Sequence, residues 1–277
     1  MQKTVPTPSI TMITDFGSKD PFVGIMKGVI LAINPAVRII DLCHEIERHN
    51  VEEALYTLSY SYRYFPEGTI HLVVVDPGVG TERRPLLVES AKSCFLAPDN
   101  GVLSFLFARG EECVVRAITA KQYLRQPVSQ TFHGRDIFAP AAAWLSMGVR
   151  PKKMGPEITD YQQLNIPQLL ISEQGLRGEV IHVDRFGNLI TNIQKKHLES
   201  LGTGGFVAEI RGNQIHQFYR SYAENKSDTA GMIINSFDLL EIFCFMRSAQ
   251  EKTGIKRGDR VHVFLQETSV GSGSDGK

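Results

Sequence analysis

Asp76 ends a run of apolar residues (Ile70, Leu72, Val73, Val74, Val75) and opens the tight turn Pro77-Gly78-Val79-Gly80, with Arg83 and Arg84 just beyond. A buried strand that delivers a carboxylate to its C-terminal mouth, beside a glycine turn and two guanidiniums, is how open α/β sheets build active sites. Two more polar clusters have the same character. Thr14-Asp15-Phe16-Gly17, with Asp20 nearby, follows an apolar stretch, and Gln130-Thr131-Phe132-His133-Gly134-Arg135-Asp136 puts a histidine beside a glycine just before an alanine-rich segment. Later, Asp184-Arg185-Phe186-Gly187-Asn188 offers a carboxylate, an aromatic face for stacking and an amide able to read a base edge. Asn235-Ser236-Phe237 and Arg247 are weaker candidates of the same kind. Each has an ordinary alternative: Asp-Pro-Gly is turn chemistry, Asp15 and Asp136 are placed to cap helices, and Asp184–Asn188 reads equally as a hairpin turn. Three clusters at strand ends in one half of the chain favour a site.

The elements that must carry these clusters alternate. Ile10–Ile13 reads as a strand and Val23, Met26, Ile30 and Ile33 have helical spacing, stopping near Asn34-Pro35. A strand over Val37–Leu42, a helix over Val51–Phe65, the Asp76 strand, short strands at Leu86–Glu89 and Cys94–Leu96, and a helix over Ile137–Met147 follow. Helices alternating with apolar strands predict a layered α/β domain with a mostly parallel sheet. Proline-punctuated sequence at Pro151–Pro167 then gives way to β segments at Gly178–Val183, Leu189–Ile193, Phe206–Ile210, Gln214–Phe218, Met232–Asn235 and Arg260–Leu265. The expected organisation is an α/β domain over 1–170, a smaller β-barrel-like domain over 171–268 and a flexible tail over 269–277.

With 277 residues the chain is long enough for a full core plus a second small one, and 30 basic residues balance 30 acidic ones, so no global field favours nucleic acid or an anionic membrane. Four scattered cysteines (Cys43, Cys94, Cys113, Cys244) fit neither a zinc site nor a disulfide framework and point to reduced thiols in the cytoplasm. No stretch has the length of a membrane span or the pattern of a signal peptide. Asp-Phe-Gly and His-Gly-Arg-Asp have the wrong order for a protein kinase, and no Walker loop, dinucleotide-binding glycine motif or nucleophile elbow occurs. Asp15 and Asp20, five apart, are a weak magnesium signal. His44 and His49, near Glu45 and Glu47, read as solvated polar residues.

Together, ITDFGSKDPFVGIMKGVI, VVVDPGVGTERRPLLVE, FLAPDNGVLS, TFHGRDIFAPAAA and DRFGNLITNI resemble the S-adenosylmethionine hydroxide adenosyltransferases, relatives of the fluorinating and chlorinating enzymes that attack the same molecule. The resemblance runs from Ile10 to Val263. It implies a homotrimer with the substrate between the first domain of one subunit and the second of its neighbour. It also implies conversion of S-adenosylmethionine and water to adenosine and L-methionine, with neither metal nor cofactor. By motif match it makes Asp76, Arg83 and His133 the catalytic set and gives Asp15 to the ribose hydroxyls. It gives Phe186 and Asn188 to adenosine, Asp184 and Arg247 to the methionine amino and carboxylate groups, and Phe132, Ser236 and Phe237 to the substrate's surroundings.

Three alternatives remain open at this level: a halide-using enzyme, a sensor that binds S-adenosylmethionine or adenosine without turnover, and a structural protein that keeps the fold but binds no adenosyl ligand. Against halide, the halogenating relatives carry a hydroxyl near the position of Gly134 and an extra loop in the first domain, for which Glu89–Cys94 is too short, and a carboxylate beside the site repels an anion. The departures from the family pattern lie late in the chain. Asp238 stands where relatives show glycine, and Phe243-Cys244-Phe245-Met246-Arg247-Ser248 replaces a stretch usually rich in glycine and asparagine.

Overall fold

The computed structural model describes residues 9–110, 112–202 and 204–266; the expected tail at 269–277 lies outside the described residues. The chain divides into two compact units, Met1–Ile166 and Pro167–Lys277. The division falls a few residues before the expected boundary because the strand Leu170–Ser172 pairs within the second unit.

The first unit carries β1 (Ser9–Thr14), α1 (Phe22–Ile33), β2 (Arg38–Cys43), α2 (Val51–Ser61), β3 (Ile70–Val74), β4 (Pro85–Ser90), β5 (Cys94–Pro98), α3 (Ser104–Ala108), β6 (Cys113–Ala117) and α4 (Ala139–Ser146). Its six-stranded sheet has the order β2-β1-β3-β5-β4-β6. The pairs β1–β2, β1–β3 and β3–β5 are parallel, whereas β4 runs antiparallel to both its neighbours. All five residues of β3 are buried, and its side chains alternate between two cores. Ile70, Leu72 and Val74 face Val23, Met26 and Ile30 of α1 and the alanines of α4, while Val73 and Val75 face Ala54 and Leu58 of α2 and Phe105 of α3. A sheet covered on both faces explains the unbroken apolar strands.

The expected helix over Ile137–Met147 begins earlier and in another form: Gly134–Phe138 is a π-helical turn leading into α4. Asp136 caps no helix. It is fully buried, accepts from the Ser129 N–H at 2.9 Å and pairs with the Arg135 guanidinium at 2.7 Å.

The second unit carries β7 (Leu170–Ser172), β8 (Gly175–Val183), β9 (Leu189–Gln194), α5 (Lys195–Leu201), β10 (Phe206–Ile210), β11 (Asn213–Ile215), β12 (Gly231–Ile234), β13 (Leu239–Phe243), α6 (Ala249–Thr253) and β14 (Arg260–Leu265). Its antiparallel sheet has the order β11-β10-β14-β8-β9-β13-β12, with β7 added on β8. Backbone bonds between Gln217 or Tyr219 and Met232 carry the chain beyond β11 back to β12, so the sheet nearly closes into a barrel around Leu176, Val180, Met232, Leu240 and Val261.

Candidate active site

Strand order decides where chemistry can gather. The chain runs from β1 to β2 on one side of β1 and returns to β3 on its other side, so a switch point lies between the C-terminal ends of β1 and β3. Asp15 follows β1 and Asp76 follows β3, one on each side of it. A cavity of about 290 Å³ opens there, lined by Asp15, Phe16, Phe22, Arg48, His49, Val74, Asp76, Val79, Thr131, Phe132, His133 and Gly134. Phe16, Phe22 and Phe132 form one aromatic wall, with ring centroids 5.3–6.0 Å apart.

Arg83 is the hub of the charged cluster. Its Nε donates to Asp76 Oδ1 at 2.9 Å, its Nη2 donates to Asp76 Oδ2, and Nη2 also reaches His133 Nδ1 at 2.7 Å. The Asp76 and Arg83 side chains are 5% and 7% exposed, so the bidentate pair is screened little by water. The carboxylate therefore orients the arginine, and the arginine orients the histidine. A guanidinium only donates, so His133 Nδ1 must accept, and the neutral ring carries its proton on Nε2. Burial, followed by the positive charge of Arg83, lowers the His133 pKa against the opposing pull of Asp76 and Asp136, which keeps the ring neutral. The third guanidinium nitrogen, Arg83 Nη1, is buried and has no hydrogen-bond partner among the described residues, and the guanidinium carbon lies 5.4 Å from the centre of the Phe138 ring.

The turn that presents Asp76 is closed by the Val79 N–H on the Asp76 carbonyl and the Thr81 N–H on that of Gly78. Gly80 has φ +79°, and a Cβ there would stand 2.4 Å from the carbonyl oxygen of Gln130. Only glycine permits this approach, which sets the Asp76–Arg83 turn directly against the loop that bears His133. The neighbouring arginine has a different task. Arg84 donates to the buried Asp99 and to Asp160, tying the 160–162 segment to the sheet.

Asp15 is 9% exposed at its side chain and accepts the His49 N–H at 3.0 Å through Oδ2. His49 holds this contact from a left-handed backbone, φ +66°, and with Arg48 it lines the cavity. His44, also read from sequence as solvated, is 12% exposed at its side chain and bonded to both Thr14 and Asp41. Strand order was the missing signal: β2 lies beside β1 and parallel to it, so the loop after β2 shares an edge with the loop after β1.

The second-unit candidates are engaged in their own turns. Asp184 accepts the N–H groups of Phe186 and Asn188 through Oδ1 and the Asn188 amide through Oδ2, leaving Phe186 76% exposed and Asn188 buried. Asn235 Oδ1 accepts from the Phe237 and Leu239 N–H groups, which presents Ser236 and Phe237 on the surface. Its amide donates to Glu241. Glu241 is a buried carboxyl raised in pKa mainly by desolvation, and it also accepts from the Tyr222 hydroxyl. Arg247 lies 3.5 Å from Asp228, 68% exposed. Among the described residues no group of three or more His, Cys, Asp or Glu side chains is arranged to hold a metal ion.

Residues 10–155 match the family model of the SAM hydroxide adenosyltransferase N-terminal domain, and residues 178–262 match that of its C-terminal domain. The chain belongs to the SAM hydroxide adenosyltransferase family. Among curated members of the wider group, it is 34% identical over 264 residues to a protein of Thermus thermophilus named (R)-S-adenosyl-L-methionine hydrolase, covering 92% of this chain and 99% of that one. A Methanocaldococcus jannaschii protein of the same name is 32% identical, with 92% and 95% covered. A fluorinase of Actinopolyspora mzabensis is more distant, at 27% over 231 residues, 74% of this chain and 77% of the other. The fold is also that of a crystal structure from Thermotoga maritima, described as an uncharacterized conserved protein, with TM-score 0.86 and 33% identity over 92% of this chain and 99% of that one. For this SAM hydroxide adenosyltransferase, Asp76, Arg83, His133, Asp15 and Phe132 share one cavity region of the first unit, while Asp184, Phe186, Asn188, Ser236, Phe237 and Arg247 belong to the second.

Proposed function

We propose that this protein hydrolyses S-adenosyl-L-methionine to adenosine and L-methionine, by attack of water at the ribose C5′. The observation that carries the reading is the Asp76–Arg83–His133 cluster at the sheet's switch point. Family membership and curated relatives named (R)-S-adenosyl-L-methionine hydrolase support it.

The chemistry fits these side chains. The leaving group is a neutral thioether departing from a sulfonium, so it needs no acid; the difficulty lies in the nucleophile. The Arg83 cation and the His133 Nε2–H favour hydroxide-like charge on a bound water, and a lone pair of Asp76 not used by Arg83 accepts the proton that the water gives up. The new O–C5′ bond forms as the C5′–S bond breaks, methionine leaves with the electron pair, and the proton passes to solvent. Asp15 takes the vicinal ribose hydroxyls, because one carboxylate can accept from both. Phe132 belongs to the aromatic wall, and the second unit's Asp184, Phe186, Asn188, Ser236, Phe237 and Arg247 supply contacts to adenosine and methionine. S-adenosylmethionine is substrate, with no further cofactor.

The reading includes a homotrimer. The outward face of α1 supports self-association: Ile25 and Leu31 are 39% and 44% exposed, and Gly24 and Gly28 have open space beside them. A cytoplasmic setting is supported by four free thiols; no helix among the described residues is long and apolar enough to cross a membrane.

The test is incubation of the purified protein with the separated (R) and (S) sulfonium forms, with adenosine and methionine quantified by chromatography while chloride and fluoride are varied. Adenosine and methionine formed one-for-one, independent of halide, support hydrolysis. A 5′-halogenated adenosine would make it a halogenase, and tight binding of adenosine without product would make it a sensor.

A further inference from the structure

A chain of side chains that the hydrolytic reading leaves unused runs from α1 to the foot of Asp15. Lys27 Nζ donates to Asp41 Oδ2 at 2.6 Å, Asp41 Oδ1 lies 2.9 Å from His44 Nε2, and His44 Nδ1 lies 2.9 Å from Thr14 Oγ1. Thr14 is fully buried and its hydroxyl also accepts the Phe16 N–H at 3.3 Å. Burial pushes the Asp41 pKa up, but the bonds and charges of His44 and Lys27 together outweigh it and lower the pKa, so the carboxylate is ionised and only accepts. An ionised Asp41 requires a proton on His44 Nε2; in the neutral ring Nδ1 then accepts, and the Thr14 hydroxyl donates to it. The same segment grips the loop after β1 at further points. The Gly17 N–H donates to the His44 carbonyl at 2.7 Å, Ser18 donates to Glu45 at 3.0 Å, and the His49 N–H occupies Asp15 Oδ2.

We propose that His44 is a positioning residue for substrate binding: held in one tautomer by Asp41, it fixes Thr14 and so holds Asp15 Oδ1 ready for the ribose hydroxyls. This rests on the reading of Asp15 as the ribose contact. His44 touches no reacting atom, so its loss raises KM and spares kcat.

Asp41→Asn is the discriminating substitution. Lys27 can only donate, so the new amide turns its oxygen to Lys27 and its NH₂ to His44, which forces the imidazole proton onto Nδ1 and reverses the bond to Thr14. Nitrogen-15 NMR of the ring reads the tautomer, and titration with adenosine reads binding without turnover. The expected result is Nε2–H in the natural protein and Nδ1–H in Asp41→Asn, with KM for S-adenosylmethionine and the Kd for adenosine both raised about tenfold, as for loss of one buried hydrogen bond. Thr14→Val is expected to raise KM similarly and Thr14→Ser to restore it, with kcat within about threefold throughout. An unchanged adenosine Kd in a variant whose tautomer has switched would overturn the proposal, as would an Nδ1–H ring in the natural protein. So would a fall in Tm with KM and Kd unchanged. If the natural protein binds adenosine but makes none from S-adenosylmethionine, the hydrolytic reading falls while the Kd comparison still decides this one.

Discussion

The two units carry most of their candidate groups in opposite states, the buried Asn188 of the second unit excepted. In the first, Asp76, Arg83 and His133 are nearly enclosed and spend their hydrogen bonds on one another. In the second, Phe186 is 76% exposed, Arg247 is 68% exposed at its side chain, and the Asp184 and Asn235 side chains are occupied in shaping their own loops. On the proposed function, the difference separates two kinds of work. Groups that must stabilise charge as it develops gain from being fixed beforehand in a poorly hydrated place, because no reorganisation is then needed during reaction. Groups that recognise a ligand can wait on pre-shaped turns and give up water when it arrives.

The strongest way to break that comparison is to remove one member of the enclosed cluster. His133→Ala is expected to lower kcat by about 10²–10⁴-fold with little change in adenosine affinity. A comparable loss of affinity would mean that the cluster recognises rather than reacts. Phe186→Ala and Asn188→Ala should do the reverse, raising KM about 10- to 100-fold with kcat nearly kept; a dominant kcat effect would place the second unit in the chemical step. The pH profile sharpens the same contrast. His133 acts neutral and its pKa is lowered below 6.5, so activity should stay level down through pH 6.5 and fall only below it. A fall that begins above 6.5, absent from the residual activity of His133→Ala, would show the ring to be more basic than its surroundings imply. The smallest effect concerns a single turn of the second unit. Asp238 sits at φ +60°, and its N–H bonds to the Asn235 carbonyl. Asp238→Gly should raise stability by about 0.5–1 kcal/mol, measured by urea denaturation, with KM unchanged.

What was legible in the sequence followed from local rules. The β3 run, with side chains facing two cores, could hardly be anything but a central strand, and Asp76 had to emerge at its end. Six of the second unit's strands showed as short β segments separated by turn residues. Short elements did not show. β6 and α3 have five residues each, and β13 is buried along its whole five-residue length, so it shows no alternation. The two adjacent arginines were equivalent by spacing, yet one orients the histidine and the other clamps a loop more than seventy residues away. His44, Arg48 and His49 were missed because their surroundings are set by strand order, and no local pattern reports which loops will lie side by side.

The contact between Gly80 and the Gln130 carbonyl has a consequence for how such a site can change over time. Segments fifty residues apart share a wall one hydrogen atom thick, so a residue added to either loop pushes the guanidinium away from the imidazole. Surface loops ordinarily absorb insertions freely, but here lengthening on one side must be matched by a change on the other. Single-loop insertions should therefore yield folded proteins with a divided, inactive site.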